Sequence, residues 1–109
     1  MKKEKPNYFA VIPAVVRYDK RLSPQAKIIY AEITALINTR GYCFATNGYF
    51  AGLFDLNPIS ISRLISQLAR NGCIDIQLER YKERKIILKP LPRGGINKIV
   101  KPNKLINKE

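Results

Sequence analysis

The sequence predicts a mainly α fold closed by a small β wing. Three observations carry that expectation. A capping residue stands directly before proline at Ser23-Pro24 and at Asn57-Pro58, the pattern that opens a helix with an acceptor and a pre-set φ. Thr46 is a third cap, ahead of the apolar residues Tyr49, Phe50, Leu53 and Phe54. After Cys73 the hydrophobic period shortens to two, because Ile74, Ile76 and Leu78 alternate with Asp75, Gln77 and Glu79.

Taken in order, residues 1–7 form a basic lead. Tyr8 to Ile12 reads as a short strand or extended segment, and Pro13 opens a helical turn. Arg17 to Leu22 is a charged connector. Ala26, Ile29, Tyr30, Ile33, Leu36 and Ile37 recur at helical spacing on a helix that runs to about Asn38. Gly41 ends it, being free to take positive φ. Tyr42 to Ala45 is a strand-like link. The helix after Thr46 lasts about two turns, and Asp55-Leu56-Asn57 forms a turn with Leu56 plugging the core. Ile61, Leu64, Ile65 and Leu68 give the inward face of the next helix, which stops at Asn71-Gly72. A strand from Ile74, a polar turn over Arg80–Arg84 and a returning strand over Lys85–Lys89 follow. The domain therefore spans residues 8–89, and 90–109 reads as a flexible basic tail or linker. Helix, turn, helix and hairpin in this order describe a winged helix-turn-helix.

Composition narrows the function. Twenty Lys and Arg against eight Asp and Glu give a formal charge of +12, a field that attracts polyanions. The excess is uneven: residues 80–109 hold ten basic and two acidic side chains. The chain has no histidine, which excludes His-based catalysis and His-ligated metal. Cys43 and Cys73 lie in apolar surroundings and read as reduced core thiols. No paired carboxylates, glycine-rich phosphate loop or nucleophile–base set stands out, so no enzyme activity and no cofactor are expected. No apolar run is long enough to span a bilayer. The N-terminal apolar stretch is broken by Pro6, Pro13 and Arg17, unlike a signal peptide, so a cytoplasmic, DNA-associated location is expected.

The candidate site follows from the third main helix. With its apolar face inward, Ser60, Ser62, Arg63, Ser66, Gln67 and Arg70 lie on the other side. Arg63 suits a bidentate pair to guanine and Gln67 one to adenine, while the serines suit bases or phosphates. Such a bidentate pair is worth ~1–3 kcal/mol of discrimination. Ile59, in the first turn, meets a thymine methyl, packs on Leu56 or marks a protein interface; the residues alone leave these open. Arg80, Tyr81, Lys82, Arg84 and Lys85 crowd the wing, with Lys82 and Arg84 at its tip, and are expected on the DNA backbone or in the minor groove. The helix starts at Thr46, Asn47 and Asn57, and Arg70, add phosphate anchors.

The segments LSPQAK at 22–27, GYCFATN at 41–47 and ISRLISQL at 61–68 resemble the N-terminal helix-turn-helix domain of Gram-positive plasmid replication initiators and phage replisome organisers. The resemblance covers about residues 8–89. It implies a winged helix, binding to origin or operator DNA, often as a dimer, and no cofactor. It makes the helix after the turn the reader, with Ser60, Ser62, Arg63 and Gln67 at the groove. Two departures stand out. The reading helix begins with Pro58-Ile59, where the family has polar or charged residues. Initiators and organisers also carry a second domain that engages the helicase machinery, so the chain reads as a piece of such a protein or as a small one that borrowed the fold.

Sequence-preferring binding of double-stranded DNA in plasmid or phage replication control is therefore the leading expectation. Dimerisation through the N-terminal segment or the Ser23–Asn38 helix would match a repeated or palindromic site. A second reading is a phage or mobile-element protein-binding module that inhibits a host or CRISPR nuclease or a replication factor, using its basic surface on an acidic groove. A third is a small transcriptional regulator.

Overall fold

The computed structural model describes residues 9–78 and 83–90. The expected basic lead, the tail past Pro90, and Arg80, Tyr81 and Lys82 of the wing lie outside those residues. The element order is α1 (Ala14–Arg17), α2 (Pro24–Arg40), α3 (Asn47–Phe54), α4 (Pro58–Arg70), β1 (Ile74–Gln77) and β2 (Lys85–Leu88).

The three caps form as their residue types dictate. Ser23 Oγ accepts from Ala26 N at 3.1 Å, Thr46 Oγ1 from Tyr49 N at 3.1 Å and Asn57 Oδ1 from Ser60 N at 2.8 Å. Each satisfies one first-turn N–H that has no helical partner. Gly41 closes α2 in the left-handed region at φ 82°. The α3–α4 turn instead uses Asp55 at φ 58°, where an L side chain is crowded, and Leu56 N donates back to Ala51 O at 3.1 Å.

The core lies where α2, α4 and the hairpin meet. Ala26, Ile29, Tyr30 and Ile33 of α2 share one cluster with Ile61, Leu64, Ile65 and Leu68 of α4, and Phe50, Ile74 and Ile86 are among the residues that join it. Burial of each large aliphatic side chain is worth ~1.5–3 kcal/mol, so α4 is held by its whole inward face. Helix α2 is buried more broadly than its single stripe implies, since Ala31 and Ala35 are also buried. The extended N-terminal segment lies beside them. Val11 N donates to Thr34 Oγ1 at 3.1 Å, and Thr34 Oγ1 donates to Ala31 O at 2.6 Å. Of the strand or extended segment expected over Tyr8–Ile12, the described residues 9–12 take the extended form, lying on α2 with no strand.

Strands β1 and β2 pair antiparallel, with Ile74 opposite Leu88 and Gln77 opposite Lys85. On its other edge β2 is bridged to the α2–α3 link, because Cys43 N donates to Ile86 O at 2.9 Å and Ile86 N to Cys43 O at 2.7 Å. Leu78, expected on the inward face, is 76% exposed. The ladder ends at Gln77–Lys85, so among the described residues Leu78 has no strand partner. With its helices and two-stranded sheet, the chain is a winged helix-turn-helix.

Candidate nucleic-acid interface

Helix α4 presents one face to solvent. Ile59, Ser62, Arg63, Ser66 and Arg70 are all exposed, opposite the buried Ile61, Leu64, Ile65 and Leu68. Their spacing of three, four and seven residues makes them one stripe along the helix. Arg63 and Arg70 bring the positive charge, two turns apart, and Ser62 and Ser66 bring small donor–acceptor groups between them. Ser60 is half-buried at the edge of that stripe, with its backbone N–H taken by Asn57.

Gln67 departs from the expectation. Its Oε1 accepts from Ser23 N at 2.6 Å, across 44 residues of chain. A bidentate pair to adenine needs both ends of the amide, and one end already serves the start of α2. Gln67 thus ties the α4 flank to α2. The same contact brings the connector between α1 and α2 alongside α4, and Asp19 and Arg21 lie within electrostatic reach of Cys73. Arg21 Nη2 and Nε donate to Asp19 at 2.7 and 3.0 Å, and these bonds hold the Asp19 carboxyl below its usual range. Exposed Lys20 flanks the same connector. In the sequence Arg17–Leu22 is only a charged connector, and no local pattern marks its place beside α4.

Arg84 also departs from it. The guanidinium was expected at the wing tip. It lies half-buried just before β2, at the turn end of the ladder, and reaches back to the body: Nη1 donates to Asn47 Oδ1 at 2.8 Å and Nη2 to Ala45 O at 2.6 Å. Burial lowers its pKa from the usual arginine value, though an arginine stays charged. Asn47 is thereby an internal partner of the wing, and its side-chain oxygen is occupied. Lys85 is half-buried with Nζ 4.7 Å from the centroid of the Tyr42 ring, a cation–π contact that holds it against the same link.

The helix starts can be accounted for donor by donor. At α4, Pro58 has no N–H, Ser60 N goes to Asn57 Oδ1 and Ile61 N to Asn57 O, which leaves Ile59 N. At α3, Tyr49 N and Phe50 N go to Thr46, which leaves Asn47 N and Gly48 N. Thr46 and Asn57 are both exposed, so the two helix starts face solvent.

A family model described as a helix-turn-helix domain matches residues 20–74. The chain belongs to the helix-turn-helix domain family. A search of curated proteins and a search of solved structures each found no match. The helix-turn-helix match runs from the connector through α2, α3 and α4 to the first residue of β1, and the rest of the hairpin lies beyond it. In a helix-turn-helix domain the second helix of the motif enters the major groove of double-stranded DNA, and here that helix is α4. No helix among the described residues is long and apolar enough to cross a membrane.

Proposed function

We propose that this helix-turn-helix protein binds double-stranded DNA with sequence preference, in plasmid or phage replication control. The observation that carries the binding is the exposed α4 stripe of Ile59, Ser62, Arg63, Ser66 and Arg70, opposite a fully buried face. Arg63 reads guanine, Ser60, Ser62 and Ser66 take bases or phosphates, and Arg70 sits on the backbone. Thr46 and Asn57 at the helix starts, with Lys85 and the wing residues Arg80, Tyr81 and Lys82, add phosphate contacts. The replication role rests on the resemblance of LSPQAK, GYCFATN and ISRLISQL to replication initiators and replisome organisers; a transcriptional regulator would use the same surface on a different site. The reading is one of binding in the cytoplasm, without a chemical step. A homodimer belongs to the same proposal, supported by the exposed apolar side chains Phe9, Val11 and Ile28.

The test is binding to random and origin-derived duplexes across a salt series. Log affinity should fall steeply against log salt, by ~0.9 per neutralised phosphate. Arg70→Ala should reduce that slope by about one unit while leaving the preference between duplexes unchanged. Arg63→Ala should instead narrow the preference, by roughly tenfold or more at its guanine. A chain that binds no duplex at ~50 mM salt, where such contacts are strongest, would refute the reading.

A further inference from the structure

Helix α4 carries one apolar side chain that its packing does not explain. Ile59 is 65% exposed, whereas Ile61, Leu64, Ile65 and Leu68 of the same helix are at most 8% exposed. Exposure of that extent means that Ile59 is not packed away on Leu56. A β-branched residue also gains nothing in helix propensity at an open position. Its neighbours on the stripe are Ser62, Arg63 and Ser66, and none of the other large exposed apolar residues among the described ones, Phe9, Val11, Tyr18, Ile28 and Leu78, belongs to α3 or α4. A protein-binding hot spot needs an apolar cluster that excludes water, and one isoleucine among serines and arginines does not make one. A single methyl group on a base edge is matched by a single apolar side chain.

Resting on the DNA reading above, we infer that Ile59 is a specificity-determining residue that recognises the 5-methyl group of thymine, beside the guanine taken by Arg63. The two side chains stand four residues apart on one face, ~5–6 Å from each other at Cβ. Successive bases on one strand are ~3.4 Å apart along the axis. The pair therefore spans neighbouring or next-neighbouring base pairs, so the preferred duplex contains thymine within two steps of guanine. Thymine is the base whose major-groove edge carries a methyl group, and apolar contact is how a side chain reads it. Pro58 fits this role: it fixes the first turn of α4 without an N–H, so the groove-facing end opens with an apolar surface.

Deoxyuridine tests this directly, since it pairs as thymidine does and lacks only the methyl. A pool of duplexes with a randomised core is enriched on the full chain, and the enriched duplex is remade with deoxyuridine at each thymine in turn. At one or two positions near the guanine, the change should weaken binding by about fourfold, the worth of one buried methyl group. Ile59→Ala should bind the thymine duplex more weakly, lose the difference between thymine and uracil at those positions, and keep the wild-type salt slope and melting temperature. Tight binding with no thymine–uracil difference anywhere would overturn the role of Ile59 and leave the DNA reading standing. Persistence of the difference in the alanine variant would do the same. Failure to enrich any duplex would refute the DNA reading, and this inference with it.

Discussion

Tyr30 shows how tightly a single residue can be constrained. Its side chain is fully buried, and its hydroxyl has no hydrogen-bond partner among the described residues. Desolvation, helped by nearby Cys73, pushes its pKa up to about 12. In the unfolded chain the phenol ionises near pH ~10. The folded pKa is the higher of the two, so the stabilisation is complete below pH ~10 and is lost as pH rises towards 12, on the order of 2 kcal/mol. Tyr30→Phe should remove that part of the alkaline loss. At neutral pH it should leave stability unchanged or raise it by up to ~1 kcal/mol, because an unpaired buried hydroxyl is a cost. Urea unfolding of both chains from pH 7 to pH 12 checks this. A phenylalanine variant markedly weaker at pH 7 would mean that the hydroxyl is bonded. Cys43 and Cys73 are held by the same core. Burial raises both thiols, so they should react slowly with thiol reagents until the chain unfolds.

At the scale of elements, one arginine adds a side-chain tie between the wing and the helical body, beside the Cys43–Ile86 backbone bridge. Arg84 reaches Asn47 and the carbonyl of Ala45, which ties the turn end of the hairpin ladder to the start of α3. Asn47→Ala cuts one of these bonds and leaves the net charge at +12. It should lower stability by about 1 kcal/mol and weaken duplex binding severalfold through a loosened wing. Were Arg84 serving phosphate instead, freeing it would hold or raise affinity, so fluorescence anisotropy on the variant separates the two. This contact also shows what a sequence can and cannot display. The caps at Ser23, Thr46 and Asn57 are local, each closing on an N–H three residues ahead, and their residue types announce them. The inward face of α4 is equally legible, because its four apolar positions repeat with the helix. Arg84 and Asn47 lie 37 residues apart, and Gln67 and Ser23 lie 44 apart. Such pairs depend on how elements dock, so both Arg84 and Gln67 looked like free DNA contacts. Leu78 misled for a related reason: alternation marks a strand but does not say where its partner ends.

Across the whole molecule, packing and charge are separated along the chain. The buried side chains of the described residues run from Pro13 to Ile86. Residues 87–109, past the last of them, still hold six basic side chains against one acidic one. Sequence preference and general affinity should therefore be separable. Ending the chain at Pro90 removes five basic residues and one acidic one, and no core side chain found among the described residues. The shortened chain should melt within about 4 °C of the full one, as surface changes of under ~0.5 kcal/mol allow. Its salt slope should fall by ~0.9 for each phosphate contact that the removed lysines and arginines made. Affinity for preferred and random duplexes should drop together, because backbone contacts carry no sequence information, and the ratio between them should stay within about twofold. Melting curves and anisotropy titrations on the two chains measure all three quantities. A collapsed ratio would assign base reading to residues 91–109, and a large fall in melting temperature would assign them to the core, so either result would break the separation of packing from charge.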